Sequence, residues 1–84
     1  MVKEYKAGMG QMLVEGGAPE ANLERARRMI RAAAQAGCAL VVLPECLDLG
    51  WTDPSTEALA APIPGPRSDL LAAAAVESGL YVAA

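Results

Sequence analysis

The side chains of this 84-residue sequence that could do chemistry gather around one point. Glu45 follows the run Ala39-Leu40-Val41-Val42-Leu43-Pro44, Cys46 comes next, and Asp48, Trp51 and Asp53 follow closely. In α/β proteins ligands bind beyond the carboxyl ends of the strands, and Glu45 stands where such a strand leaves its sheet. A carboxylate partly withdrawn from water there accepts a proton more readily near neutrality, as a general base must. Position alone equally allows a solvated acid in a loop.

The neighbouring groups offer weaker chemistry. Asp48 and Asp53 could pair with Glu45 as acid and base in glycoside hydrolysis, but aspartates in a Gly/Pro-rich loop commonly bond to local backbone. Cys46 beside a candidate base invites a nucleophilic reading. Consecutive side chains of an extended segment point to opposite faces, however, and the acidic neighbours Glu45 and Asp48 disfavour a thiolate. Cys46 and Cys38 are therefore expected to be small buried apolar groups, with Cys38 packed where a helix turns into the central strand. Their separation fits neither a disulfide framework nor a CxxC metal site. With no histidine, neither a zinc site nor a serine-histidine triad is expected within these residues.

Elements that would position Glu45 can be read from the flanking pattern. Tyr5 to Val14 reads as a strand ending at Glu15-Gly16-Gly17. From Pro19 to Ala36, Leu23, Ala26, Ile30, Ala33 and Gly37 recur at spacings of three and four, which predicts one apolar helical face. Pro19 suits the first helical position, Glu20 and Glu24 lie near the positive end of the dipole, and Gly37 supplies a left-handed stop. Ala39 to Leu43 is apolar without alternation and predicts a central strand covered on both faces, its hydrogen-bond ladder ended by Pro44. Cys46 to Gly65 reads as loop with one helical turn near Pro54 to Leu59. Pro66 to Ser78 predicts a helix with Leu70, Leu71, Ala74, Ala75 and Ser78 on one side, stopped by Gly79 and followed by a strand from Leu80. The order βαβ, loop, αβ predicts α/β architecture with right-handed crossovers.

Composition bounds the rest. The 54% hydrophobic share includes eighteen alanines, there is no phenylalanine, and Trp51 is the single tryptophan, so the core is thin for a chain folding alone. Net charge is −3, and the arginines at 25, 27, 28 and 31 lie beside Glu24, which predicts an ion-paired solvated face, with no nucleic-acid partner. The charged start Met1-Val2-Lys3-Glu4-Tyr5-Lys6 lacks a signal core, and no apolar run reaches the ~18 residues of a membrane span. A cytoplasmic protein without a membrane partner is expected.

Several motifs in this order resemble the nitrilase or carbon-nitrogen hydrolase superfamily. They are Gly10-Gln11-Met12, Asn22-Leu23 opening a helix, Ala36-Gly37-Cys38-Ala39-Leu40-Val41-Val42-Leu43-Pro44-Glu45, Gly50-Trp51, Pro64-Gly65-Pro66, and Gly79-Leu80-Tyr81-Val82. The resemblance covers nearly the whole chain, with LVVLPE its most specific element. It implies an α-β-β-α sandwich of which residues 1–84 form the N-terminal part of a single incomplete domain. It further implies a Glu-Lys-Cys site in which Glu45 is the general base, while the lysine and nucleophilic cysteine lie downstream. Lys3 and Lys6 lie before or at the very start of the first strand and do not qualify. The implied substrate is a small-molecule amide, less readily a nitrile or N-carbamoyl compound. No metal or organic cofactor is implied, and the complete protein would be a homo-oligomer. Trp51 could line the substrate pocket, although a lone tryptophan more often packs under a loop, and packing is the reading favoured here.

The rival class is a small non-catalytic α/β binding or interaction module. Gly8, Gly10, Gly16 and Gly17 form neither GxGxxG nor a GxxxxGK[ST] loop, which argues against a phosphate binder. A carbon-nitrogen hydrolase carrying only its base would be inactive as residues 1–84 alone.

Overall fold

The computed structural model describes residues 4–84, so the reading of Met1 to Lys3 as part of a charged start lies outside the described residues. Three short parallel strands form one sheet in the order β1-β2-β3, where β1 is Ala7–Met9, β2 Leu40–Val42 and β3 Tyr81–Ala83. Helix α1 (Pro19–Gln35) connects the first pair, and α2 (Thr56–Leu59) and α3 (Pro66–Ser78) lie between the second. The α/β order expected from the sequence is the order found.

The helices form where apolar spacing and end signals agree. In α1, Leu23, Ala26 and Ile30 are buried and Ala33 packs against the same core, so the predicted stripe is the buried one. Pro19 starts α1 and Pro66 starts α3, where a missing N–H leaves no helical bond unmade. Gly37 and Gly79 follow the two long helices with φ of 82° and 68°, a left-handed conformation that costs glycine little. Across the solvent face of α1, Glu24 meets Arg27 at 3.4 Å and Arg28 at 3.6 Å, as the charge pattern predicts.

The first strand is shorter than Tyr5 to Val14. The Gly10 amide donates to Val42 O at 2.8 Å, and the next donor in that parallel ladder would be the amide of residue 44. Pro44 has none, so the pairing ends and Met12 and Val14 pass over to pack against the core instead.

The two faces of the sheet differ. Gly8, Val41 and Val82 share one register row beneath α1 and α3, and Val41 is only 1% exposed. Met9, Val42 and Ala83 form an outward row, with Val42 47% and Met9 80% exposed, and Tyr81 is also exposed. The expectation that β2 is covered on both faces is therefore corrected. Strand order advances in one direction with crossovers of one hand, which puts α1 and α3 on the same side. The exposed surface, 5705 Å², exceeds the roughly 4,700 Å² typical of a compact monomer of 8.7 kDa. The radius of gyration, 13.3 Å, likewise exceeds the roughly 12 Å of a compact domain of this length.

Candidate active site

Glu45 sits at the first position of a turn spanning residues 45–49, directly beyond the carboxyl end of the central strand. The turn is closed by the Gly50 amide donating to Cys46 O at 2.9 Å and is anchored by Leu47 and Leu49, 6% and 3% exposed. Burying a leucine is worth about 2 kcal/mol, so the two hold the turn against the fold while Glu45 and Cys46 stay exposed. The Glu45 carboxylate has no ion-pair partner among the described residues.

Asn22, fully buried in the first turn of α1, ties two loops together. Its Nδ2 donates to Glu15 O and Asp48 O, each at 2.8 Å, and its Oδ1 accepts from the Glu15 amide at 2.8 Å. The turn bearing Glu45 is thereby fixed to the helix amino end. From the other side, Arg67 near the start of α3 donates from Nη1 to Asp48 Oδ2 at 3.0 Å. Between the turn, α3 and the Pro62-Ile63 segment lies a cleft of about 230 Å³. Cys46, Asp48, Arg67 and Ser68 contribute to its wall.

Several expectations meet this geometry differently. Asp48 accepts from the Leu49 amide at 2.9 Å, and Asp53 accepts from the Ser55 amide at 3.0 Å and from its hydroxyl, as loop aspartates are expected to do. The Ser55 hydroxyl, then the Ser55 amide, hold the Asp53 carboxyl below the usual aspartate range, against a small opposing effect of burial. Cys38 lies between α1 and β2 as expected, but it is only half-buried, its Sγ 3.1 Å from where a methyl group on Gly8 would sit.

Cys46 is not the buried apolar group the sequence suggested. It is exposed, with φ of 52°, because the chain turns tightly after Pro44 and the alternation of an extended strand no longer applies. Trp51 does not pack under the loop either. It is 69% exposed and borders a shallow groove that also includes Cys46 and Asp53. The structure thus gathers Cys46, Asp48 and Arg67 at the cleft, while Glu45 stands beside it and Trp51 over the adjoining groove. The Arg67–Asp48 contact was not read from the sequence. Leu47 and Leu49, alternating with Cys46 and Asp48, carried a signal that part of the loop is anchored.

Lys6 donates from Nζ to Ala36 O at 2.8 Å, and its carbonyl accepts from the Ala39 amide. It therefore belongs to the amino edge of the parallel sheet, opposite to the edge bearing Glu45. Among the described residues no three His, Cys, Asp or Glu side chains converge as metal ligands would, and no helix is long and apolar enough to cross a membrane.

The sequence profile described as Carbon-nitrogen hydrolase matches residues 6–84, nearly the whole chain. The chain belongs to the carbon-nitrogen hydrolase family. Its relatives include Omega-amidase NIT2-A of Xenopus laevis, 35% identical over 79 residues, which are 94% of this chain and 28% of that protein. Omega-amidase NIT2 of Xenopus tropicalis is 34% identical over the same shares. The chain thus spans little more than a quarter of the length of these omega-amidases. Its parallel sheet with two packed helices is consistent with the N-terminal portion of the nitrilase fold.

Proposed function

We propose that residues 1–84 are the N-terminal part of a hydrolase acting on small-molecule amides, in which Glu45 is the general base of a Glu-Lys-Cys site. The observation that carries this reading is the placement of Glu45 on an anchored turn at the carboxyl end of the central strand of a carbon-nitrogen hydrolase. The names of the relatives, omega-amidases, favour an amide over a nitrile or N-carbamoyl substrate.

In this reading a cysteine outside residues 1–84 attacks the amide carbonyl. Glu45 takes the thiol proton and passes it to the departing amine, leaving a thioester. Glu45 then takes a proton from water as the thioester is hydrolysed, and returns it to the cysteine sulfur. A lysine, also outside these residues, and backbone N–H groups stabilise the developing oxyanion. In this reading Cys46, flanked by Glu45 and Asp48, is not the nucleophile. Trp51, already exposed beside the turn, is available to wall the substrate pocket. A cytoplasmic location and homo-oligomeric assembly belong to the same proposal and rest on the family resemblance.

The test is ammonia or amine release by the complete enzyme from small amides, nitriles and N-carbamoyl compounds, with and without a thiol-blocking reagent. Thiol-sensitive hydrolysis of amides, absent from the isolated residues 1–84, is expected. Amide hydrolysis by residues 1–84 alone, or a complete enzyme indifferent to thiol blocking, would contradict the proposal.

A further inference from the structure

Asp48 lies three residues after Glu45 in the same turn and is held at three atoms. Its carbonyl accepts from Asn22 Nδ2 at 2.8 Å, Oδ1 from the Leu49 amide at 2.9 Å and Oδ2 from Arg67 Nη1 at 3.0 Å. Helices α1 and α3 thereby grip the turn from two sides. The Arg67 side chain is 22% exposed and that of Asp48 36%, so the ion pair is partly shielded from water, where attraction is stronger than at a fully solvated pair. Between Glu45 and this grip, Cys46 keeps a left-handed backbone, which a non-glycine residue retains only where its surroundings over-determine it. Glu45, by contrast, has no ion-pair partner of its own among the described residues. The turn sets where the Glu45 backbone stands.

We infer that Asp48 and Arg67 form a positioning pair for Glu45, setting the angle from which its carboxylate serves as base. The inference rests on the reading of Glu45 as general base. Neither Asp48 nor Arg67 need touch substrate. Releasing Arg67 frees one side of the turn while Asn22 and the two buried leucines still hold the other. The carboxylate then samples a wider range of positions, and the fold persists. Misplacement by about 1 Å can cost on the order of 10²-fold in rate, so partial loosening should cost about tenfold.

The experiment compares Asp48→Asn, Arg67→Gln, their double variant and Arg67→Lys in the complete enzyme, each also combined with Glu45→Gln. Asp48→Asn retains an Oδ1 acceptor for the Leu49 amide and the carbonyl that meets Asn22, so it reports even if Arg67→Gln folds poorly. Each single variant should lower kcat about tenfold with KM within about twofold. The double variant should lose no more than either single, because both break one contact. Arg67→Lys should recover most of the loss. With Glu45→Gln present, Arg67→Gln should have no further effect on residual turnover. Unchanged kcat in folded variants, a raised KM with kcat retained, or an undiminished effect in the Glu45→Gln background would each overturn the positioning role. Near-normal turnover of Glu45→Gln alone would instead sink the reading of Glu45 as base.

Discussion

Two consecutive stretches join β2 to α3, and they are built on opposite lines. From Pro44 to Leu49 the chain is anchored by buried Leu47 and Leu49, by Asn22 from α1 and by Arg67 from α3. From Trp51 to Ile63 the large apolar side chains are open to solvent, Trp51 at 69% and Ile63 at 86%, and turn bonds such as Thr56 N–H to Asp53 O are local. Precision is concentrated in the half that bears Glu45, and it is supplied by residues distant in sequence. The other half rests on the Gly16-Gly17 turn through Asp53 and Ser55 but leaves its large apolar side chains uncovered.

That contrast can be broken or sharpened by substitution. The largest effect should come from Glu45→Gln in the complete enzyme. It should lower kcat by ~10²- to 10⁴-fold, the usual contribution of a positioned base, with a thermal midpoint close to that of the parent. Asn22→Ala should come next. It removes the three hydrogen bonds that join the buried Asn22 amide to the backbone of Glu15 and Asp48, and urea unfolding should show a loss of about 3 kcal/mol, at ~1 kcal/mol for each bond. If Asn22→Ala were as mild as a loop substitution, the anchoring described for the Glu45 turn would be wrong.

In the exposed half, Trp51→Ala should change unfolding free energy by less than about 0.5 kcal/mol in residues 1–84, as for other surface positions. The same change in the complete enzyme should raise KM if the indole walls the pocket. The smallest effect concerns Asp53, whose carboxyl is held below its ordinary range mainly by the Ser55 hydroxyl. Its lowered folded value means that any stability it adds is present above the ordinary aspartate pKa of about 3.9 and fades as pH falls through the folded value. Ser55→Ala should raise the Asp53 titration midpoint seen by NMR, returning it only part of the way because the Ser55 amide still donates.

What could be read from the sequence follows from how far each determinant reaches. The helices were legible because spacing, Pro19, Pro66, Gly37 and Gly79 are local signals that agree. Pro44 likewise marks the end of β2 and, through its missing N–H, the end of β1 as well. The apolar run of β2 suggested cover on both faces, but composition describes what a strand can bury and not which elements lie over it. Cys46 was misread because alternation holds only in extended chain, and nothing in the residue types around it announces φ of 52°. The Asp48–Arg67 contact spans nineteen positions, and Arg67 is one of several arginines that could have faced that aspartate. The location of Glu45 at a strand end was visible, whereas the part of Arg67 in holding its turn was not.

The most direct test of the account is to trap the enzyme nucleophile. The complete enzyme is treated with a substrate-like electrophile, the modified residue is mapped by mass spectrometry, and the rate is compared among the parent, Cys46→Ser and Glu45→Gln forms. The account predicts an adduct on a cysteine outside residues 1–84, formed at an unchanged rate in Cys46→Ser and about 10²-fold or more slower in Glu45→Gln. An adduct on Cys46, or labelling indifferent to Glu45→Gln, would contradict it.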